Sequence, residues 1–232
     1  VINLLPYDDF LYEYYNSFNS KTKDWNKIKI VTHNVATKKG YFDNIFKNMT
    51  PEDKEIIEWY RDGGYRQIAD FLFANDLSDK ATYPNNTIKS LKECILKLDN
   101  ILEKTKIKKD VVLWKGLSSK SHLKESLINV IRELNINDTY TFQNFFSTSI
   151  NFQYAVFSFA FQSSEPYYYL MKINTPAGTK GTYISHNINE NEVLLQRNQT
   201  IKLKKIYEYN INKLLKRHIL RSLVKIYEFD LI

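Results

Sequence analysis

Cys94 is the only cysteine among 232 residues, so no internal disulfide can staple this chain. Proline (5) and glycine (6) are scarce, which excludes collagen-like and low-complexity architectures. No apolar run approaches the roughly 20 residues that a membrane-spanning helix needs. The four histidines, His33, His122, His186 and His218, are scattered, HExxH is absent, and Cys94 has no partner ligand, so no metal site is expected. Glycines cluster only at Gly63-Gly64, in neither the GxGxxG nor the GxxxxGK[ST] form of a phosphate loop. A serine hydrolase elbow of GxSxG type is also missing. The first residues, Val1 to Pro6, carry neither a basic n-region nor a long apolar h-region; a signal peptide either does not exist or precedes this numbering, and secretion stays open.

What is present is material for a core: 43% hydrophobic, 15% aromatic and 25% charged residues. No Pro/Gly/Ser-rich linker and no internal repeat interrupts it, so one domain over 1–232 is expected, mainly helical over 1–105 and β-rich over 106–232. Lys and Arg (33) outnumber Asp and Glu (26), a net charge of +7 that favours encounters with anions. Much of the excess is lysine spread along the chain, as a solvated surface would have it.

Local pattern supplies the elements. Thr50-Pro51-Glu52-Asp53 pairs a cap residue with proline at the first helical position and acids in the first turn, opening a helix through Ile56, Ile57, Trp59 and Tyr60 that Gly63-Gly64 should end. A second helix carries Tyr65, Ile68, Ala69, Phe71 and Leu72 on one face. A third runs from about Thr87 through Leu91, Ile95, Leu98 and Leu102 at three-to-four spacing. After Asp110 the period changes to strands: Val111 to Trp114, Tyr140 to Phe146, Tyr167 to Ile173, Gly181 to Ser185, Glu192 to Gln196, Thr200 to Tyr209 and Val224 to Phe229. Helices are expected at Phe152 to Phe161 and Leu214 to Leu223. The class is α+β, with a helical N-terminal layer and a mostly antiparallel second half.

Three short stretches on predicted strands carry chemistry: Leu113-Trp114-Lys115-Gly116, Phe146-Ser147-Thr148-Ser149 and Glu190-Asn191-Glu192-Val193-Leu194-Leu195. Each alone is commonplace. In this order the set resembles the mono-ADP-ribosyltransferase toxin family, in the branch with an Arg, Ser-Thr-Ser, Glu-x-Glu motif set. The likeness extends to Trp59-Tyr60 through Leu72, similar to that family's "Y, four residues, Y-x-x-I-N-x-x-L" helix. Leu98-Asp99 with Asp110-Val111-Val112 resembles its approach to the first motif. Ile173 to Tyr183 resembles its strand pair leading to the glutamates, and the likeness covers about residues 50 to 230.

The resemblance implies two packed, mostly antiparallel sheets behind the helical layer, and cleavage of the nicotinamide to ribose bond of NAD, the cosubstrate, with ADP-ribose passed to a nucleophile and no metal. Such bond breaking develops positive charge on the ribose, which a carboxylate stabilises more in the transition state than before it. By resemblance Glu192 is that carboxylate, bonded to the ribose 2′-hydroxyl, and Ser147 holds it from the neighbouring strand. On a regular strand Glu190 would face the same way as Glu192, roughly 6.5 to 7 Å along. Glu190 then orients an arginine acceptor and takes its proton, which a guanidinium titrating above about 12 requires. Lys115, Gly116, Tyr60, Tyr65, Thr148, Ser149, Phe152 and Phe157 are expected at the NAD site, with Tyr154 a further candidate among the aromatics that cover the nicotinamide. His186 and Asn187 fall in the loop that touches the protein acceptor.

The pattern is broken twice. Lys115 stands where the family has arginine, exchanging a planar fork for a point charge, and Ala69 stands where the helix pattern has asparagine. Arg61 or Arg66 is available as a replacement phosphate contact, and helical phase leaves open which faces the cleft. The implied function is an NAD-dependent protein-arginine ADP-ribosyltransferase, toxin- or effector-like, monomeric, secreted or delivered into a target cell, with a cytoplasmic location left open. The alternatives are a catalytically impaired binding module of the same fold, an NAD glycohydrolase, or an RNA-directed enzyme. Lys202, Lys204, Lys205, Lys213, Lys216, Arg217, His218, Arg221 and Lys225 form the densest basic run, either a solvated face or a surface for nucleic acid or an acidic protein. The lack of a second motif set favours a single-domain effector over a two-module binary component.

Overall fold

The computed structural model describes residues 40–42, 49–73, 85–117, 127–156, 167–184, 191–210 and 223–232. Helix α1 (Pro51–Trp59) begins as its sequence dictates: the Thr50 hydroxyl accepts from Asp53 N at 3.2 Å, satisfying one of the amides the first turn leaves open. Gly63-Gly64 does not end the helical path, as expected, but bends it. Tyr60–Gly64 forms one widened turn and α2 (Tyr65–Phe73) continues beyond. Gly63 takes φ +123°, which a side chain would resist, and Gly64 lies so close to Trp59 that a Cβ would stand 2.6 Å from its ring. Helix α3 (Asn85–Glu103) buries Leu91, Ile95, Leu98 and Leu102 against Ile57, Tyr60, Ile68 and Phe71. Each fully buried aliphatic side chain contributes about 1.5–3 kcal/mol.

The strands are β1 (Val111–Leu117), β2 (Thr139–Phe142), β3 (Phe146–Ser149), β4 (Tyr168–Thr175), β5 (Gly181–Tyr183), β6 (Glu192–Leu195), β7 (Gln199–Asn210) and β8 (Leu223–Leu231). Short helices α4 (Leu127–Glu133) and α5 (Phe152–Tyr154) sit between them. The expected strand from Tyr140 to Phe146 is two strands. Asn144 Oδ1 accepts from Phe145 N at 2.8 Å in the break, and β2 joins β7 while β3 joins β6. Leu223, expected in a helix, opens β8; the rest of that helix, residues 157–161 and Ser185 lie outside the described residues.

The architecture is α+β, and the two expected sheets are joined. One eight-stranded sheet runs β2-β7-β8-β4-β1-β3-β6-β5, antiparallel except for β4 with β8. Strands β1 and β3 meet at a single pair, Trp114 with Ser149, so a five-strand part and a three-strand part hinge there. The largest core cluster draws on both parts, with Leu113, Met171 and Tyr227 from one and Phe146, Val193 and Leu195 from the other. The opposite face of β6 packs Leu194 under the helices. Asp99 on α3 fastens that layer to the turn after β6, taking Arg197 Nε at 2.9 Å, its terminal nitrogen at 2.8 Å, and Gln196 Nε2 at 3.1 Å.

Gly64→Ala should lower stability by about 1–3 kcal/mol through the clash with Trp59. Urea unfolding measures it, and an unchanged midpoint would mean that the ring gives way freely.

Candidate active site

Register brings the motif strands together. With Ser149 opposite Glu192 and Ser147 opposite Leu194, alternation sets Ser147, Ser149, Glu192 and Leu194 on one face, toward the helices. Ser147 Oγ donates to Glu192 Oε1 at 2.5 Å, a diagonal contact across the pair. Glu192 O accepts from Ile184 N at 3.0 Å, so the residue is tied through backbone as well as side chain. Ser149 Oγ accepts from Asn151 N at 2.9 Å and serves the turn into α5. Thr148, expected at the NAD site, alternates to the other face: it is buried, and its hydroxyl donates to Val193 O at 2.8 Å.

Of the motif Glu190-Asn191-Glu192, the described part is Asn191 and Glu192. Strand β6 begins at Glu192, and Asn191 has φ +44°, a left-handed conformation that asparagine tolerates better than most residues. Asn191 is buried, accepts from Tyr183 Oη at 2.9 Å, and its backbone oxygen accepts from Ile150 N at 3.1 Å. Sequence reasoning passed over this residue; an asparagine flanked by two glutamates at a strand start was the available signal. Glu190, His186, Asn187 and Phe157 lie outside the described residues.

From the helical layer, Tyr60 is buried with its ring edge-on to Tyr65 and Phe145, both at 6.2 Å. Burial, then the charge of Glu192, pushes its hydroxyl far up, so it keeps its proton. Tyr65 is 39% exposed and takes Arg66 Nε on its hydroxyl at 3.0 Å. Arg61, on the widened turn, is the guanidinium that faces Glu192: its Nε stands 3.9 Å from Oε2, and the two side chains are 15% and 14% exposed. Ala69 is buried in the helix. Phe152 packs edge-on against Trp114 at 4.9 Å within a core cluster, while Tyr154 is partly buried.

Lys115 takes a role the sequence did not suggest. It springs from the β1 face shared by Leu113 and Leu117, and its ammonium crosses the opening beside the single β1–β3 pair. There it donates to Ser147 O at 2.8 Å and lies 4.9 Å from the Phe146 ring centroid. Burial lowers its pKa from 10.5 to about 8, against the opposing pull of Glu192. Gly116 follows in β1, paired with Leu170. Arg61 and Lys115 thus flank one carboxylate. Among the described residues no group of three or more His, Cys, Asp or Glu could hold a metal, and no helix is long and apolar enough to cross a membrane. Of the basic run, Lys202, Lys204, Lys205 and Lys225 lie on β7 and β8, with Lys204 paired to Asp230 at 2.9 Å; the others fall outside the described residues.

The model of the ADP-ribosyltransferase exoenzyme family matches residues 17–225. No curated relative matches the sequence. Among solved structures, the ADP-ribosylating toxin BECa of a C. perfringens binary enterotoxin, solved with NADH, is 22% identical with a TM-score of 0.59. The match covers 86% of this chain but 46% of BECa, so the chain spans under half of that protein. The Vis toxin, an ADP-ribosyltransferase from Vibrio splendidus, is 15% identical with a TM-score of 0.61, over 94% of this chain and 90% of its own. Plx2a, an ADP-ribosyltransferase toxin from Paenibacillus larvae, is 18% identical with a TM-score of 0.61, over 88% and 96%. At these identities the likeness is one of fold.

Titration of the Lys115 side chain by carbon NMR should show a midpoint near 8, falling further in Glu192→Gln because the carboxylate is what raises it. The folded value lies below the unfolded one, so the unfolded chain binds more protons in between. Lys115 therefore makes stability rise with pH from about 8 to 10.5. An ordinary lysine midpoint, unmoved by Glu192→Gln, would contradict this placement of the ammonium.

Proposed function

Because the chain belongs to the ADP-ribosyltransferase exoenzyme family, we propose that it transfers ADP-ribose from NAD to an arginine side chain of a target protein. The observation that carries this reading is the Ser147 to Glu192 hydrogen bond of 2.5 Å, which fixes one carboxylate oxygen and leaves the other directed at the cleft beside Arg61. The lining suits a dinucleotide. Tyr65, exposed beside the buried Tyr60, offers aromatic surface, and two cations offer charge to a diphosphate.

In the proposed reaction Glu192 binds the hydroxyl of the nicotinamide ribose. The bond from the ribose anomeric carbon to nicotinamide breaks with its electron pair leaving on the ring nitrogen, and the cationic sugar is stabilised by the fixed carboxylate. An arginine nitrogen then bonds to the anomeric carbon and its proton passes to Glu190, the second carboxylate of the motif. Ser147 is a positioning residue here, since it acts through Glu192. The expected partner is a protein with an accessible arginine, reached by a toxin that is secreted or delivered into a target cell.

A second reading, an impaired module of the same fold, is supported by Lys115, whose ammonium is engaged with Ser147 O and sits where the family pattern has arginine. Labelled NAD incubated with cell lysate separates the two. Wild type should label a protein, Glu192→Gln should lose transfer and NAD cleavage by about 100-fold or more, and Glu190→Gln should lose arginine transfer while keeping NAD hydrolysis. Absence of label and of nicotinamide release from wild type would favour the impaired module; free ADP-ribose without labelled protein would mark a glycohydrolase.

A further inference from the structure

Glu192 has two oxygens and the resting protein uses both. Oε1 accepts from Ser147, and Oε2 faces the Arg61 guanidinium at 3.9 Å, an ion pair longer than the roughly 2.7–2.9 Å of a charge-assisted hydrogen bond. The two neighbouring cations are engaged differently. Arg66 reaches the Tyr65 hydroxyl at 3.0 Å and lies over that ring, on the exposed side of α2. Lys115 is pinned to the Ser147 carbonyl. Among the described residues Arg61 is therefore the planar, forked cation that faces Glu192, and it comes from the helical layer instead of from β1.

We propose that Arg61 is the diphosphate-binding residue of this site and works by exchange of counter-ions: it pairs with Glu192 at rest and turns to the NAD diphosphate when the ribose takes its place. This rests on the proposed NAD chemistry. A ribose hydroxyl on Oε2 competes for the position that the guanidinium now faces. The same ribose bears a phosphate on its methylene arm, so a displaced cation finds an anion close by, and a fork binds phosphate with two parallel hydrogen bonds where a lysine supplies a point charge. The exchange also serves the chemistry. A guanidinium left on Glu192 would cancel the negative charge needed by the cationic sugar, whereas one moved to the diphosphate leaves the carboxylate to the transition state.

Affinities of NAD, nicotinamide mononucleotide and nicotinamide riboside, measured by ligand-observed NMR on wild type, Arg61→Gln and Arg61→Lys, test the proposal. Arg61→Gln should weaken both phosphate-bearing ligands by about tenfold or more and leave the riboside within about twofold. Arg61→Lys should fall between, and KM for NAD should rise more than kcat falls. Equal weakening of all three ligands would reduce Arg61 to a structural residue and overturn the exchange, as would unchanged NAD affinity in a folded Arg61→Gln. A wild-type chain that binds none of the three would overturn the NAD reading itself, and that outcome is visible before any substitution is made.

Discussion

The single residue pair between β1 and β3 is the constraint on which the site depends. Had the ladder continued past Trp114 and Ser149, the five-strand and three-strand parts would form one uninterrupted surface, with the edge of β3 consumed by strand amides. Because it stops, the parts fold around a shared core, and the opening beside the joint admits the Lys115 ammonium to the backbone of Ser147. Ser147 in turn holds Glu192. A break in regular pairing thus becomes the means by which β1, β3 and β6 are connected at one carboxylate.

Charge is arranged with equal economy. Glu192 sits between a guanidinium from the helices and an ammonium from β1, each held by different physics. Lys115 is buried at a cost that depresses its pKa and is stabilised by a carbonyl, an aromatic face and the carboxylate. Arg61 faces the carboxylate across 3.9 Å. The replacement of arginine on β1 by lysine is therefore not a simple loss, since the compact ammonium fits the strand opening and a guanidinium is present elsewhere.

Much of this was legible in the sequence where the signal is local. Thr50-Pro51 announces its helix, the Leu91 to Leu102 spacing announces a buried face, and the ordered motifs bring Ser147 to Glu192. What was not legible depends on partners distant in the chain or on backbone states that several residues share. Gly63-Gly64 reads equally as a helix end or a bend, and packing against Trp59 decides. The aromatic alternation from Tyr140 to Phe146 hides two strands because it says nothing of which neighbour each will pair with. Thr148 shares a motif with Ser147 yet faces the opposite way, and Asn191 turns left-handed because Tyr183 and Ile150 hold it there. Arg61 and Arg66 were indistinguishable until the bend set the phase of the helix.

The one parallel pairing places the last strand of the described chain inside the sheet. Strand β8 lies between β4 and β7, so the interior of the large part is filled by the last strand of the described chain, after β5, β6 and β7 have been laid down. Without β8 the edges of β4 and β7 would both stand open, and its pairing with β4 joins residues far apart in the chain, a topology that slows folding in general. The carboxylate and its serine belong to the other part. A polypeptide caught before β8 arrives could hold Ser147 against Glu192 while lacking a finished sheet behind Lys115, so the completed centre reports that the whole fold has been reached.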